Sequence, residues 1–168
     1  MSPNLLSGLT AAMALAACAA TPALPGALQP AVKASPLMTV AASGVQVYEC
    51  RAATRGAAPT WIFVAPEAEL FDTSGQRIGH HGAGPHWTAD DGSRVVGRVL
   101  ARADAPVAGA IPWLLLATDA GAARGVFSAV SHIQRINTVG GVAPAAGCNA
   151  ERVGVTARIA YTADYRLF

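Results

Sequence analysis

The chain has 168 residues, 13% of them charged, a formal net charge of +2, and one lysine (Lys33) against eleven arginines. That length fits one domain with a sizeable core. No basic stripe with interleaved aromatics occurs, which argues against nucleic acid as a partner, and beyond the N-terminus no apolar run approaches the roughly 20 residues of a membrane-spanning helix.

The first 17 residues read as an export signal. Residues 5–17 are uncharged and rich in Leu and Ala, and Leu15-Ala16-Ala17-Cys18 closes the stretch. A short apolar run followed by small residues is the pattern of a cleaved signal rather than a membrane span. Cys18 is the expected lipidation site, because its thiol is the nucleophile there that can take a thioether-linked diacylglycerol. Two or more acyl chains make such an anchor stable. The start departs from the usual pattern, since the first basic side chain is Lys33. The alternative is a secretory peptide cut near Ala20 or Ala23, with Cys18 discarded. Ala19 lacks the character of an inner-membrane retention residue and leans the expectation toward the outer membrane.

Residues 18–36 repeat proline (Pro22, Pro25, Pro30, Pro36) and read as an extended tether that holds a domain off the membrane. The domain expected over residues 37–168 has a β rhythm. Val45 to Cys50 alternates, Trp61-Ile62-Phe63-Val64 is a short apolar run between prolines, and Asp72-Thr73-Ser74-Gly75 is a turn signal. Further extended segments are expected at 76–80, 95–102, 113–116, 126–136 and 153–161, with helical turns allowed only at 66–71 and 149–153. The expected class is all-β, a single sandwich or barrel of roughly eight to ten short strands. With Cys18 assigned to lipid, Cys50 and Cys148 remain, and in an oxidising compartment that pair reads as a disulfide. A two-thiolate metal site would need further ligands at short spacing, and none is adjacent.

Several segments resemble, in order, the exported bacterial and fungal proteins grouped as the DUF3455 domain. They are Gly44 to Cys50, Ile78-Gly79-His80-His81, Gly84-Pro85-His86-Trp87, Ile111 to Leu116, Gln134 to Gly141, Ala143-Pro144 with Cys148, and Tyr161 to Tyr165. The resemblance implies an exported, largely β domain with cysteines near its two ends, and it implies no activity. No strand is followed by the Gly-x-Gly-x-x-Gly turn of a dinucleotide site.

Three clusters are candidates for chemistry. His80, His81 and His86 are imidazoles suited to copper or zinc. The first two are consecutive and face opposite sides of a strand, so His80 with His86 is the leading pair and His132 a distant addition. The plain reading is one buried, hydrogen-bonded histidine beside a solvated one. Arg135, Asn137 and Thr138 form the second cluster, a candidate anion or sugar pocket in which the guanidinium is a rigid bidentate donor. Its plain reading is a strand end with Arg135 paired to Asp164. Trp61 and Trp113 are expected in the core, and Trp87 beside a surface groove.

No Gly-x-Ser-x-Gly elbow, His-Glu-x-x-His pair or phosphate loop is present. The leading expectation is therefore a non-enzymatic envelope lipoprotein whose β domain binds a small ligand or another envelope component. A Cu/Zn-binding envelope protein using the His80/His86 region is the alternative. A hydrolase would need a Ser or Asp within reach of His80, His86 or His132 at a cleft. No particular cofactor is indicated.

Overall fold

Eight antiparallel strands, each bonded to the next in sequence and the last to the first, close into a barrel in the computed structural model, which describes residues 23–31, 35–53, 56–121 and 124–168. The strands are β1 (Met38–Arg51), β2 (Thr60–Phe71), β3 (Arg77–Gly82), β4 (His86–Ala89), β5 (Arg94–Ala103), β6 (Trp113–Ala120), β7 (His132–Gly140) and β8 (Thr156–Leu167). The all-β expectation is met, and of the two architectures it is the barrel. Residues 66–71, where a helical turn was allowed, are the second half of β2. A short 3-10 turn does form at Ala150–Arg152. Residues 126–131, expected as strand, are turn and loop ahead of β7.

Closure follows from alternation. Val40 and Ala42 in β1, Ala68 and Leu70 in β2, and Tyr161, Ala163, Tyr165 and Leu167 in β8 recur at every second position and are buried inside. Their neighbours Ala41, Ser43, Glu67, Glu69, Ala160 and Thr162 face water. Glycine sits where the neighbouring chain leaves no room for a side chain. A Cβ on Gly44 would overlap the Glu67 carbonyl oxygen, and one on Gly97 would lie 2.8 Å from Trp87 and 2.9 Å from Leu116. Bulges between Val47 and Tyr48 and between Ile136 and Val139 bend the strands further and shift their alternation.

The two ends of the barrel differ. At the lower end Phe127 and Val130 insert from the β6–β7 connection and are almost wholly buried. Asp91, in the β4–β5 turn, clamps this plug. Its carboxylate accepts from the Val126 N–H at 2.8 Å and the Ser93 hydroxyl at 2.6 Å, and Ser93 Oγ in turn accepts from the Phe127 N–H at 3.1 Å. The Ser93 hydroxyl first, then the Val126 amide, holds the Asp91 carboxyl below its ordinary pKa.

The upper end is framed by the start of β2, the β3–β4 and β5–β6 turns, and the β7–β8 connection. Cys50 and Cys148 are joined there, with Cα atoms 5.3 Å apart, as the cysteine count anticipated. The Tyr48 hydroxyl donates to the Gly141 carbonyl at 2.7 Å, and Trp61 Nε1 donates to Ala146 O at 3.0 Å. Trp61 is thus a half-buried brace on the outside, not a core residue, because its indole N–H finds a loop carbonyl only at the surface.

Leu24 to Leu28 belong to the segment expected as a free spacer, yet they pack against the outer wall. Leu28 is fully buried with Trp113, Leu115 and Ile136, and its carbonyl accepts from Gln134 Nε2 at 2.6 Å. That contact explains the apolar run 113–116. Trp113 and Leu115 point outward beneath the strap, while Leu114 and Leu116 point inward, so β6 is covered on both faces. Cys18 and the expected signal lie outside the described residues.

Candidate functional site

Above the plug the barrel is not filled. A cavity of about 460 Å³ opens at the upper end and is lined by residues from most strands. Its rim is apolar, with Phe63, Val64 and Val99 each about half exposed. Lower down, Leu114 and Leu116 continue the apolar wall, and Trp87 closes one side with only 1% exposure.

Between rim and floor lies a polar belt. Arg135 in β7 pairs in register with Leu114 of β6 and with Tyr165 of β8, which places the three on one inward-facing row. Tyr165 meets Trp87 and His81 edge to face, both at 5.3 Å between ring centres, and His81 stacks on Trp87 at 4.3 Å. Gln46 and Tyr48 enter the same cavity from β1.

Hydrogen bonding assigns the state of His81. Its Nδ1 lies 2.7 Å from the His86 carbonyl oxygen. A carbonyl only accepts, so Nδ1 carries the proton and Nε2 keeps its lone pair. Burial is the main reason the His81 pKa falls to about 3; the His86 carbonyl opposes the fall, and the charges of Arg135, His86 and His80 add to it. Burial therefore holds His81 as the neutral imidazole near neutral pH.

Arg135 is the cation of the cavity. Its Nε and Nη2 donate to the Pro112 carbonyl at 3.1 and 2.8 Å. Among the described residues neither Arg135 nor Arg102, which also lines the cavity, forms an ion pair, and no Asp or Glu lines it. The expected Arg135–Asp164 pairing is not formed. Asp164 accepts instead from Asn137 Nδ2 at 2.8 Å, because Asn137 sits at the β7 bulge with φ 50° and turns outward.

Around Arg135 several buried polar atoms lack partners: Gln46 Nε2, Trp87 Nε1 and the hydroxyls of Tyr161 and Tyr165. Burial raises the pKa of both tyrosines while the Arg135 charge works against it. The two hydroxyls also lie close enough to each other, to Gln46 and to Arg135 for hydrogen bonding to act on their pKa values, although none of these contacts reaches ideal geometry. Buried polar atoms without partners are uncommon in native proteins, and a group of them drawn from β1, β4 and β8 is a feature that needs a reason.

The residues singled out from sequence divide cleanly. Trp87 and Arg135 converge in the cavity, and His81 joins them. Asn137 is outside, and Thr138 is buried but spends its hydroxyl on the Ile111 carbonyl at 2.5 Å. His80 is exposed on the opposite face of β3 from His81, as consecutive strand residues must be. His80 and His86 stand 5.6 Å apart, edge to face, on the outer surface, with His86 Nδ1 donating to Ala83 O at 2.7 Å. Among the described residues no three His, Cys, Asp or Glu gather as metal ligands. The Ser131 hydroxyl does lie 3.0 Å from His132 Nδ1, but at the plugged end, where it also bonds the Phe168 carbonyl at 3.2 Å. That pair does not line the upper cavity.

Missed from sequence were Gln46, Tyr48, Tyr161 and Tyr165. Their signal was present: Gln46 and Tyr48 are two apart, and Tyr161 and Tyr165 four apart, so each pair shares a face in an extended chain. Polar residues recurring on the face that also carries the core are the mark of a lined cavity.

The fold and site together define a class: an up-and-down eight-stranded barrel, plugged at one end and open at the other onto an aromatic cavity with an uncompensated arginine. Residues 30–168 match the family model described as a protein of unknown function (DUF3455), and the chain belongs to that family. No curated protein and no solved structure matches it.

Proposed function

We propose that this protein is an exported binding module whose barrel holds one small amphipathic ligand. The observation that carries the reading is the open cavity of about 460 Å³, with an apolar rim over a polar belt. Ligand pockets run to roughly 300–1,000 Å³ and are lined mainly by apolar and aromatic side chains with a few polar groups. An eight-stranded barrel is wide enough either to be filled by its own side chains or to hold one small ligand. The lower half of this barrel takes the first course and the upper half the second.

The Cys50–Cys148 bond supports an oxidising compartment, in keeping with export and lipid attachment at Cys18. Holding a ligand without transforming it is also the simplest use of a belt whose histidine is neutral and buried and has no nucleophile paired to it.

The test is fluorescence titration of the mature protein with N-phenyl-1-naphthylamine, an uncharged probe that brightens in apolar surroundings. Saturable brightening is expected at micromolar probe. Val99 stands half exposed on the rim, so Val99→Trp should place an indole across the opening and weaken binding by at least about tenfold without unfolding the barrel. No saturable signal, or one indifferent to this substitution, would overturn the reading.

A further inference from the structure

We infer that the ligand of this cavity is an organic carboxylate, bound with its anionic group on Arg135 and its apolar body against the aromatic wall and rim. This rests on the binding-module reading above and adds the chemical class of the ligand.

The argument begins with charge. Arg135 is partly withdrawn from water inside the barrel, and its bonds to the described residues go to one carbonyl, that of Pro112. A guanidinium has five N–H groups in a rigid fork. Two of them go to Pro112, and among the described side chains the remainder meet only the Tyr165 hydroxyl, in a contact short of hydrogen-bond geometry. Charged groups withdrawn from water are ordinarily paired, since desolvation without a counter-charge is costly. Arg102 adds a second cation nearer the opening, and no carboxylate lines the cavity to oppose either.

The neutral groups point the same way. Gln46 Nε2 and Trp87 Nε1 can only donate hydrogen bonds, and the Tyr161 and Tyr165 hydroxyls have protons to offer; none has a partner. His81 spends its proton on the His86 carbonyl. The belt is thus a cation with unpaired donors around it, whose acceptors are all neutral and which holds no negative charge. A carboxylate supplies two oxygens with lone pairs and a negative charge, and fits the planar fork of Arg135 bidentately. A cationic ligand would face two arginines.

The walls set the rest of the molecule. Trp87, Phe63 and Tyr48 present aromatic surface, and Phe63 meets Tyr48 edge to face at 5.7 Å. A flat or branched apolar body of about ten to fifteen non-hydrogen atoms sits comfortably in a pocket of this size. A multiply charged phosphate ester would leave that apolar surface unused.

Isothermal titration of the mature protein with 1-naphthylacetate and 1-naphthylacetamide compares nearly identical shapes that differ in charge. The acid is expected to bind at least about tenfold more tightly in low salt, with the advantage shrinking as salt rises. Arg135→Gln should bring the two probes to within about threefold of each other, chiefly by weakening the acid, and Arg135→Lys should keep part of the preference. If the amide binds and the acid is no better, or if the preference survives Arg135→Gln, the carboxylate inference falls and the binding reading stands. If neither probe binds at about 1 mM, both fall. Should Arg135→Gln fail to fold, the acid–amide ratio of the unmodified protein and its salt dependence still decide the matter.

Discussion

Replacing Cys50 and Cys148 together by alanine is expected to lower the unfolding free energy by about 4 kcal/mol, read as a large drop in the urea midpoint relative to the oxidised protein. The two residues are 98 apart in sequence, so the bond closes a loop that takes in most of the barrel. Chain-entropy reasoning gives about 4.7 kcal/mol for a loop near 100 residues, an upper figure because real unfolded chains retain some order. A second effect is local. The bond ties the end of β1 to the β7–β8 connection, alongside the Tyr48–Gly141 and Trp61–Ala146 hydrogen bonds at the cavity mouth. Its loss should therefore weaken naphthylamine binding even under conditions where the variant remains folded. An unchanged urea midpoint would show that the barrel is held closed without it.

The second large effect is on acid stability. An unfolded histidine titrates near 6.5, whereas folded His81 does so at about 3. Between those values the unfolded chain holds a proton that the folded chain does not. Stability must therefore fall as pH drops below about 6.5, and the fall continues until His81 itself is protonated in the fold. At about 1.36 kcal/mol per unit, the His81 contribution between pH 6.5 and 4.5 is about 2–3 kcal/mol. Carboxyls with lowered pKa, among them Glu67, Asp72 and Asp91, also lose their contribution in acid, but mainly below that window. Comparing urea midpoints across pH 4.5–6.5 for the parent and His81→Asn isolates the term. Asparagine keeps a donor for the His86 carbonyl but cannot titrate. A flatter profile in the variant is expected; identical slopes would mean that His81 is hydrated and protonated in the folded protein.

How much of this was legible in the residues varies with the range of the interaction. The extended chain at 45–50, the Asp72–Gly75 turn and the two spare cysteines each encode local or covalent structure and appear as read, except that the bulge at Val47 and Tyr48 breaks the alternation and buries Gln46, Val47 and Tyr48 together. The turn closes as Asp72 Oδ1 accepts from the Ser74 and Gln76 amides at 2.8 and 2.9 Å. Closure of β8 onto β1 was not legible, because a strand's own sequence specifies its faces and not its neighbour.

The apolar run 113–116 was read as core, which is half the matter. Two of its residues face inward and two lie beneath Leu28, which comes from a proline-rich segment that composition alone places in solvent. Gln134, fully buried on the outer side, was the available clue, since a buried amide there needs a partner such as the Leu28 carbonyl. The Arg135 cluster failed for a different reason. The bulge after Ile136 and the positive φ of Asn137 break the two-residue period, so three neighbours that looked like one site face three ways.

The site emerges only when β1, β3, β4, β7 and β8 are brought together. Gln46, His81, Trp87, Arg135 and Tyr165 span 120 positions of the chain and touch one cavity. No local pattern links them. What is visible locally is the anomaly each creates: a histidine, a glutamine or an arginine on a strand face otherwise given to the core.

The central claim is that a small molecule occupies the barrel mouth, and the three tryptophans report on it separately. Trp87 lines the cavity, Trp113 lies outside the wall under Leu28, and Trp61 braces the outer loop. Titrating ¹⁵N-labelled mature protein with 1-naphthylacetate and following the three indole N–H signals, the account predicts a saturable shift of the Trp87 signal while Trp113 stays in place. A shift confined to Trp61 or Trp113, or no shift of Trp87 at millimolar ligand, would contradict it.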